Sequence, residues 1–141
     1  MRRLYSNDTA TSDLETLPTT QAYNIVLVTH TSNSIQIRWT QGSEQNAIVL
    51  IKKGTSSGAT PITVEPSDGT DYTANSVYGS GDKIGDTYVV YKGNGTSVNV
   101  TGLDRKTYYN FRVFEYRGTG STCRYLKVTA TNNPRSLYTL P

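Results

Sequence analysis

Along this chain, short stretches of alternating apolar and polar residues are separated by polar, glycine-rich breaks, and no helical period is sustained anywhere. Residues 34–40 set the pattern. Ile35, Ile37 and Trp39 fall on one face and Gln36, Arg38 and Thr40 on the other, the period of a half-buried strand. Residues 22–28 predict a strand before it, with a polar turn over residues 30–33. Residues 47–51 are a continuous apolar run ended by Lys52-Lys53-Gly54, as expected of a central strand covered on both sides. Further strands are predicted over residues 88–91, over 97–100 with the valines inward, and over 109–113 in clean alternation. A last long strand is predicted over 125–131, with Pro134 ending it. Residues 54–86, rich in Gly, Ser, Thr, Asp and Pro, are expected to be irregular, with short β pieces at 62–64 and 72–74. About seven strands punctuated by regular turn signals predict an all-β sandwich.

The first seventeen residues lack any sustained period, and Pro18 closes them off. The expected organisation is therefore an extended arm over residues 1–18 and one sandwich domain over 19–141. A chain of 141 residues is long enough for one two-layer core. Composition agrees with β structure, since Tyr, Thr and Val suit pleated, half-buried surfaces.

Charge and cysteine content narrow the function. The net charge is +3, and the basic residues are scattered apart from Arg2-Arg3 and Lys52-Lys53, so no nucleic-acid partner is expected. The lone Cys123 excludes an intrachain disulfide and is read as an incidental loop or strand residue. No segment approaches the ~18 apolar residues of a membrane span. Arg2 and Arg3 are followed by polar residues where a signal peptide needs an apolar stretch. Two expectations follow: a protein made in the cytosol from its own Met1, or a piece of something longer.

Catalytic chemistry finds little support. His30, the one histidine, is read as an exposed turn residue with no nucleophile assigned to it. One His and one Cys cannot supply the three or four ligands of a zinc site, and no cofactor is expected. Gly79-Ser80-Gly81-Asp82-Lys83-Ile84-Gly85 has the wrong spacing for a phosphate loop and reads as turn glycines. Asp68, Asp71, Asp82 and Asp86 follow no calcium-loop spacing and read as turn formers. Glu65 and Asp68 form a carboxylate pair with no sugar cleft predicted around them. Asn7, Asn94 and Asn99 match the glycosylation acceptor pattern, as chance matches in a Thr-rich chain. Tyr72, Tyr78, Tyr88 and Tyr91 gather around the long irregular segment. Half or more are expected to pack on strand faces, leaving Tyr72 and Tyr78 as candidate partner-binding residues.

Residues 34–39 resemble the second strand of a fibronectin type III domain, with Trp39 at the place of that family's core tryptophan. Gly102-Leu103, followed by a turn and then Tyr109, Phe111 and Val113, resembles its leucine-turn-tyrosine signature. The resemblance implies a seven-stranded immunoglobulin-like sandwich over roughly residues 19–141, with Trp39, Leu103, Tyr109, Phe111 and Val113 in the core. Tyr109 would be the corner tyrosine whose hydroxyl bonds back to the chain just upstream. The stretch from Pro66 to Ala74, Tyr78-Gly79-Ser80-Gly81 and Phe114-Glu115-Tyr116 resemble a variant common in Bacteroidetes-type surface and secreted proteins.

The functional expectation is a non-enzymatic module that binds a protein partner. A sandwich carrying a basic, partly apolar arm suits a bacteriophage virion protein made in the host cytoplasm, such as a capsid decoration or auxiliary protein. Its anchor would be Arg2, Arg3, Leu4 and Tyr5. The alternative is a spacer or adhesion module of a secreted or cell-surface bacterial protein, and weak glycan binding through loop tyrosines is a third expectation.

Overall fold

The computed structural model describes residues 14–141. Nine strands follow in order: β1 (Tyr23–His30), β2 (Ile35–Thr40), β3 (Ala47–Lys53), β4 (Lys83–Ile84), β5 (Thr87–Gly93), β6 (Ser97–Val100), β7 (Tyr108–Arg117), β8 (Arg124–Tyr125) and β9 (Arg135–Tyr138). They build two sheets. One has the order β1-β2-β6, the other β4-β5-β3-β7-β8, with β9 also paired to β7. The antiparallel β2–β6 register sets Ile35 opposite Val100 and Ile37 opposite Val98, so alternate residues of both strands turn one apolar face inward.

That face meets the larger sheet across a core that includes Ile25, Ile35, Ile37, Trp39, Val49, Ile51, Val90, Leu103, Tyr109, Phe111 and Val113. Burying each large apolar side chain contributes about 1.5–3 kcal/mol. Trp39 packs edge-on against Tyr91, their ring centroids 5.5 Å apart. At the corner before β7, the Tyr109 hydroxyl accepts the N–H of Asp104 at 2.8 Å, as the family resemblance implies. Leu103 lies buried beneath this turn.

The larger sheet is covered on its other face too. Ile48, Leu50, Val89, Phe114 and Tyr116 point outward into a second core closed by Ile62, Cys123 and Tyr125, with Val64, Tyr72, Ala74 and Ile84 packed around it. The alternation expected of residues 109–113 is therefore incomplete. Tyr109, Phe111 and Val113 do face the inner core, but Asn110 and Arg112 are buried as well, under the long segment.

The expected β pieces at 62–64 and 72–74 are not strands; the short β4 forms instead. Around Ile62 the segment crosses the outer face of the sheet, and farther on it follows β5, where Asn75 N–H donates to the Val89 carbonyl at 3.2 Å and Val89 N–H to the Asp82 carbonyl at 2.8 Å; side chains satisfy part of the remaining backbone. Ile62 N–H donates to Asn110 Oδ1 at 2.9 Å, and Thr73 N–H donates to Asp82 Oδ2 at 2.8 Å. Arg112 ties the same segment down, donating to the Ile62 carbonyl at 3.2 Å and the Lys127 carbonyl at 2.7 Å.

The long strand expected over 125–131 is also corrected. The strand ends at Tyr125, with Leu126 N–H making a last bond to the Glu115 carbonyl at 2.9 Å, and the edge of β7 is completed by β9, which follows Pro134 instead of preceding it. The chain is drawn off the sheet because the Gln21 side-chain amide takes up the Leu126 and Val128 carbonyls, at 2.7 and 2.9 Å. His30 ends β1 and is half-buried, not an exposed turn residue; its Nδ1 donates to the Tyr138 carbonyl at 2.5 Å.

From Leu14 onward the expected arm runs against the body. Glu15 N–H donates to the Thr122 carbonyl at 3.0 Å, Arg117 reaches the Thr16 hydroxyl at 2.6 Å, and Pro18 is buried. Ser43 Oγ accepts the N–H groups of Thr19 and Thr20 at 3.1 and 3.0 Å. The loop carrying Ser43 is held in turn by the buried Glu115 carboxylate, which accepts the N–H groups of Gly42 and of Glu44. Burial pushes the Glu115 carboxyl above the usual glutamate range, outweighing those hydrogen bonds.

Candidate functional site

At the end of the sandwich where β7 finishes, the second core opens into a cavity of about 360 Å³. β5 contributes Lys92, the end of β7 contributes Tyr116, and the long segment contributes Asp71 and Tyr72. Gly118 and Thr119 form the rim. Gly118 is required here by geometry. Its φ is +92°, and a Cβ at this position would lie 2.4 Å from the Thr122 carbonyl oxygen. The rim is braced by Thr119 N–H donating to Thr122 Oγ1 at 3.0 Å, and by that hydroxyl donating back to the Thr119 carbonyl at 2.8 Å.

Lys92 is the centre of the site. Its side chain is only 9% exposed, and its ammonium stands 4.8 Å from the Tyr116 ring centroid and 5.9 Å from that of Tyr125. It pairs with Asp71 and lies 3.7 Å from Cys123 Sγ. A cation taken from water needs such partners: a carboxylate and two aromatic faces offset the desolvation cost. Asp71 is half-exposed and also accepts the Gly120 N–H at 3.2 Å. The Lys92 hydrogen bond holds its carboxyl below the usual aspartate range against the opposing effect of burial. Burial raises both neighbouring phenols, Tyr125 and Tyr116, the latter to about 12. The site thus presents one internally compensated charge pair, tyrosine surface and an exposed threonine hydroxyl.

A second cavity of about 340 Å³ lies beside it, lined by Leu17, Leu126 and Val128 with Asp68, Arg124 and Lys127. Asp68 binds Arg124 at 3.3 Å and Lys127 at 3.0 Å, and accepts the Tyr125 N–H at 2.9 Å. Although burial opposes it, these contacts lower the Asp68 pKa. The four aspartates of the long segment each have a structural partner: Asp82 accepts the Thr73 N–H, and Asp86 pairs with Lys52 at 3.2 Å. Among the described residues, no cluster of His, Cys, Asp and Glu is placed to hold a metal ion.

The two candidate tyrosines are not brought together. Tyr72 lines the cavity, its ring 6.1 Å from Tyr125 and its hydroxyl accepting the Ser67 N–H at 2.8 Å. Tyr78 sits at the rim of the inner core, edge-on to Tyr88 at 5.2 Å and to Tyr109 at 5.4 Å. Tyr88 and Tyr91 pack on that core as well. Arg2, Arg3, Leu4 and Tyr5 lie outside the described residues. Sequence reasoning missed Lys92, Tyr116, Gly118 and Thr119. One signal was available: Phe114 and Tyr116 carry two aromatic rings onto the face of β7 opposite Val113, which predicts a cover there.

No family model and no curated protein matches this chain. Solved structures do. The fibronectin type III domain of human fibronectin type III domain containing protein 3 superposes with a TM-score of 0.50 at 17% identity, covering 90% of each chain. The FN5 domain of Drosophila Lar gives a TM-score of 0.47 at 14% identity, over 88% of this chain and 98% of that one. An FN3 domain of human collagen XX gives 0.41 at 23% identity, over 80% and 93%. Together with the two-sheet arrangement and the tyrosine corner, the human domain's superposition identifies the fold: the chain is an all-β sandwich of the fibronectin type III kind.

Proposed function

We propose that this domain is a non-enzymatic interaction module of a larger assembly, a bacteriophage virion protein of the capsid-decoration or auxiliary kind. It would dock through the segment that contains Arg2, Arg3, Leu4 and Tyr5. The observation that carries the reading is the fastening of residues 14–20. The Glu15–Thr122 backbone bond, the Arg117–Thr16 contact and the paired bonds to Ser43 fasten the root of the arm to the end of β7, the turn after it and the loop between β2 and β3. A partner bound by the arm would therefore be joined to the body of the sandwich from residue 14 onward. Covering the larger sheet on both faces also fits a rigid module that presents its ends and loops. On the resemblance to a Bacteroidetes-type variant, the host would be a bacterium of that group.

The experiment is sedimentation of the protein from its source, comparing the intact chain with a variant that begins at residue 14. The intact chain should travel with large particles, and the shortened chain should fold but remain at the top of the gradient. A spacer or adhesion module of a secreted bacterial surface protein is the second reading. What favours it is the polar, tyrosine-lined cavity at the end of the sandwich, a feature that docking through the arm leaves unused.

A further inference from the structure

We infer that the cavity around Lys92 is a binding site for a neutral hexopyranose ring of a glycan. The inference rests on reading the domain as a binding module and supplies that module with a ligand class. Charge decides the class first. Lys92 and Asp71 neutralise each other at the cavity wall, so an anionic ligand would meet the Asp71 carboxylate and a cationic one the Lys92 ammonium. A neutral ligand meets neither penalty.

Hydrogen-bonding capacity points to hydroxyl groups. The Lys92 ammonium gives two of its three donors to Asp71 and Cys123 Sγ and keeps one, and Asp71 retains acceptor lone pairs beyond those used by Lys92 and the Gly120 N–H. Asp71 is half-exposed at the mouth, and Thr119 is exposed on the rim. A strong donor beside a strong acceptor matches two adjacent sugar hydroxyls, each of which both donates and accepts. The apolar C–H face of the ring has a counterpart in the half-buried Tyr72, whose ring lines the same cavity. A volume of about 360 Å³ lies at the small end of ligand pockets and suits a monosaccharide unit better than an extended peptide. Lys92 is also positioned before any ligand arrives: the Tyr116 ring and the Asp71 carboxylate fix its head group, so little ordering is left for binding to impose.

The test is a titration of the isotope-labelled full chain with the methyl glycosides of glucose, galactose, mannose and N-acetylglucosamine, followed through backbone amide shifts. At least one glycoside should shift the amides of Lys92, Gly118, Thr119 and Gly120 and saturate in the millimolar range. Tyr72→Ala should weaken that binding by on the order of tenfold or more. Because Tyr72 also packs on the second core, Thr119→Arg serves as a second variant that fills the mouth from an exposed position, and it should abolish the titration. Val28→Ala, at an exposed position of β1 in the other sheet, should leave it unchanged. Absence of any shift at these amides with all four glycosides, or an undiminished titration of Thr119→Arg, would overturn the inference. Either result leaves the sedimentation experiment unaffected, so the two readings fail separately.

Discussion

The hydroxyl of fully buried Tyr109 accepts the backbone N–H of Asp104 at 2.8 Å, closing the turn that leads into β7. Tyr109→Phe keeps the ring in the core and strands that N–H. The expected cost is about 1–2 kcal/mol, the range for leaving one partly buried donor unpaired. Chemical denaturation should show a lower midpoint with an unchanged slope, because the same surface is exposed on unfolding. An unchanged midpoint would mean that the corner bond adds nothing to stability.

Arg112 is 5% exposed, lies over the Phe114 ring at 4.5 Å, and spends its terminal nitrogens on the Ile62 and Lys127 carbonyls. Its Nε has no partner, and burial lowers its pKa. Two effects oppose each other in Arg112→Met: relief of charge desolvation, and loss of two bonds that hold covering segments to β7. Global stability should therefore change by less than about 2 kcal/mol. Hydrogen exchange should instead quicken locally, over residues 62–74 and 126–128, while β2 and β3 keep their protection. Uniform quickening would contradict the clamp.

Acid should release the same cover before it melts the sandwich. The pKa values of Asp68 and Asp71 are both lowered from the ordinary 3.8, so their contribution is present above that value and is lost as the pH falls through the folded-state values. Glu115 has the opposite sign. Its raised pKa gives a contribution present below 4.5 that is lost as the pH rises, so it does not drive acid release. Lowering the pH from 4 toward 2 should expose amides in residues 66–74 and 118–123 first. The double variant Asp68→Asn, Asp71→Asn should show that exposure already at neutral pH. Added salt should reproduce only part of the effect, since Asp71 is half-exposed and its ion pair is screened.

The inner core was legible because its signals are local. Ile35, Ile37 and Trp39 alternate within one strand, and Leu103 and Tyr109 stand across one turn. The need for an outer cover is legible in the apolar run 47–51 and in Phe114 and Tyr116, but which residues supply it is not, because residues 54–86 carry no strand period. Arg112 stands at a polar position of an alternating strand, and the tertiary cover buries it. The candidate site is split more widely still. Asp71 and Lys92 are separated by 21 positions, and the rim at Gly118 and Thr119 comes from a third stretch. Residues 126–131 are no less apolar than β9, yet they do not form the last strand. What takes the edge of β7 instead is β9, because Gln21 captures the carbonyls of Leu126 and Val128.

The most direct test of the central claim is sedimentation of the native protein from its source, with mass spectrometry of each fraction. The account predicts that peptides of the chain, including those from residues 1–13, appear in the fractions of megadalton particles, and that a variant beginning at residue 14 does not. Recovery of these peptides only within a longer secreted chain, or undiminished co-sedimentation of the shortened variant, would contradict it.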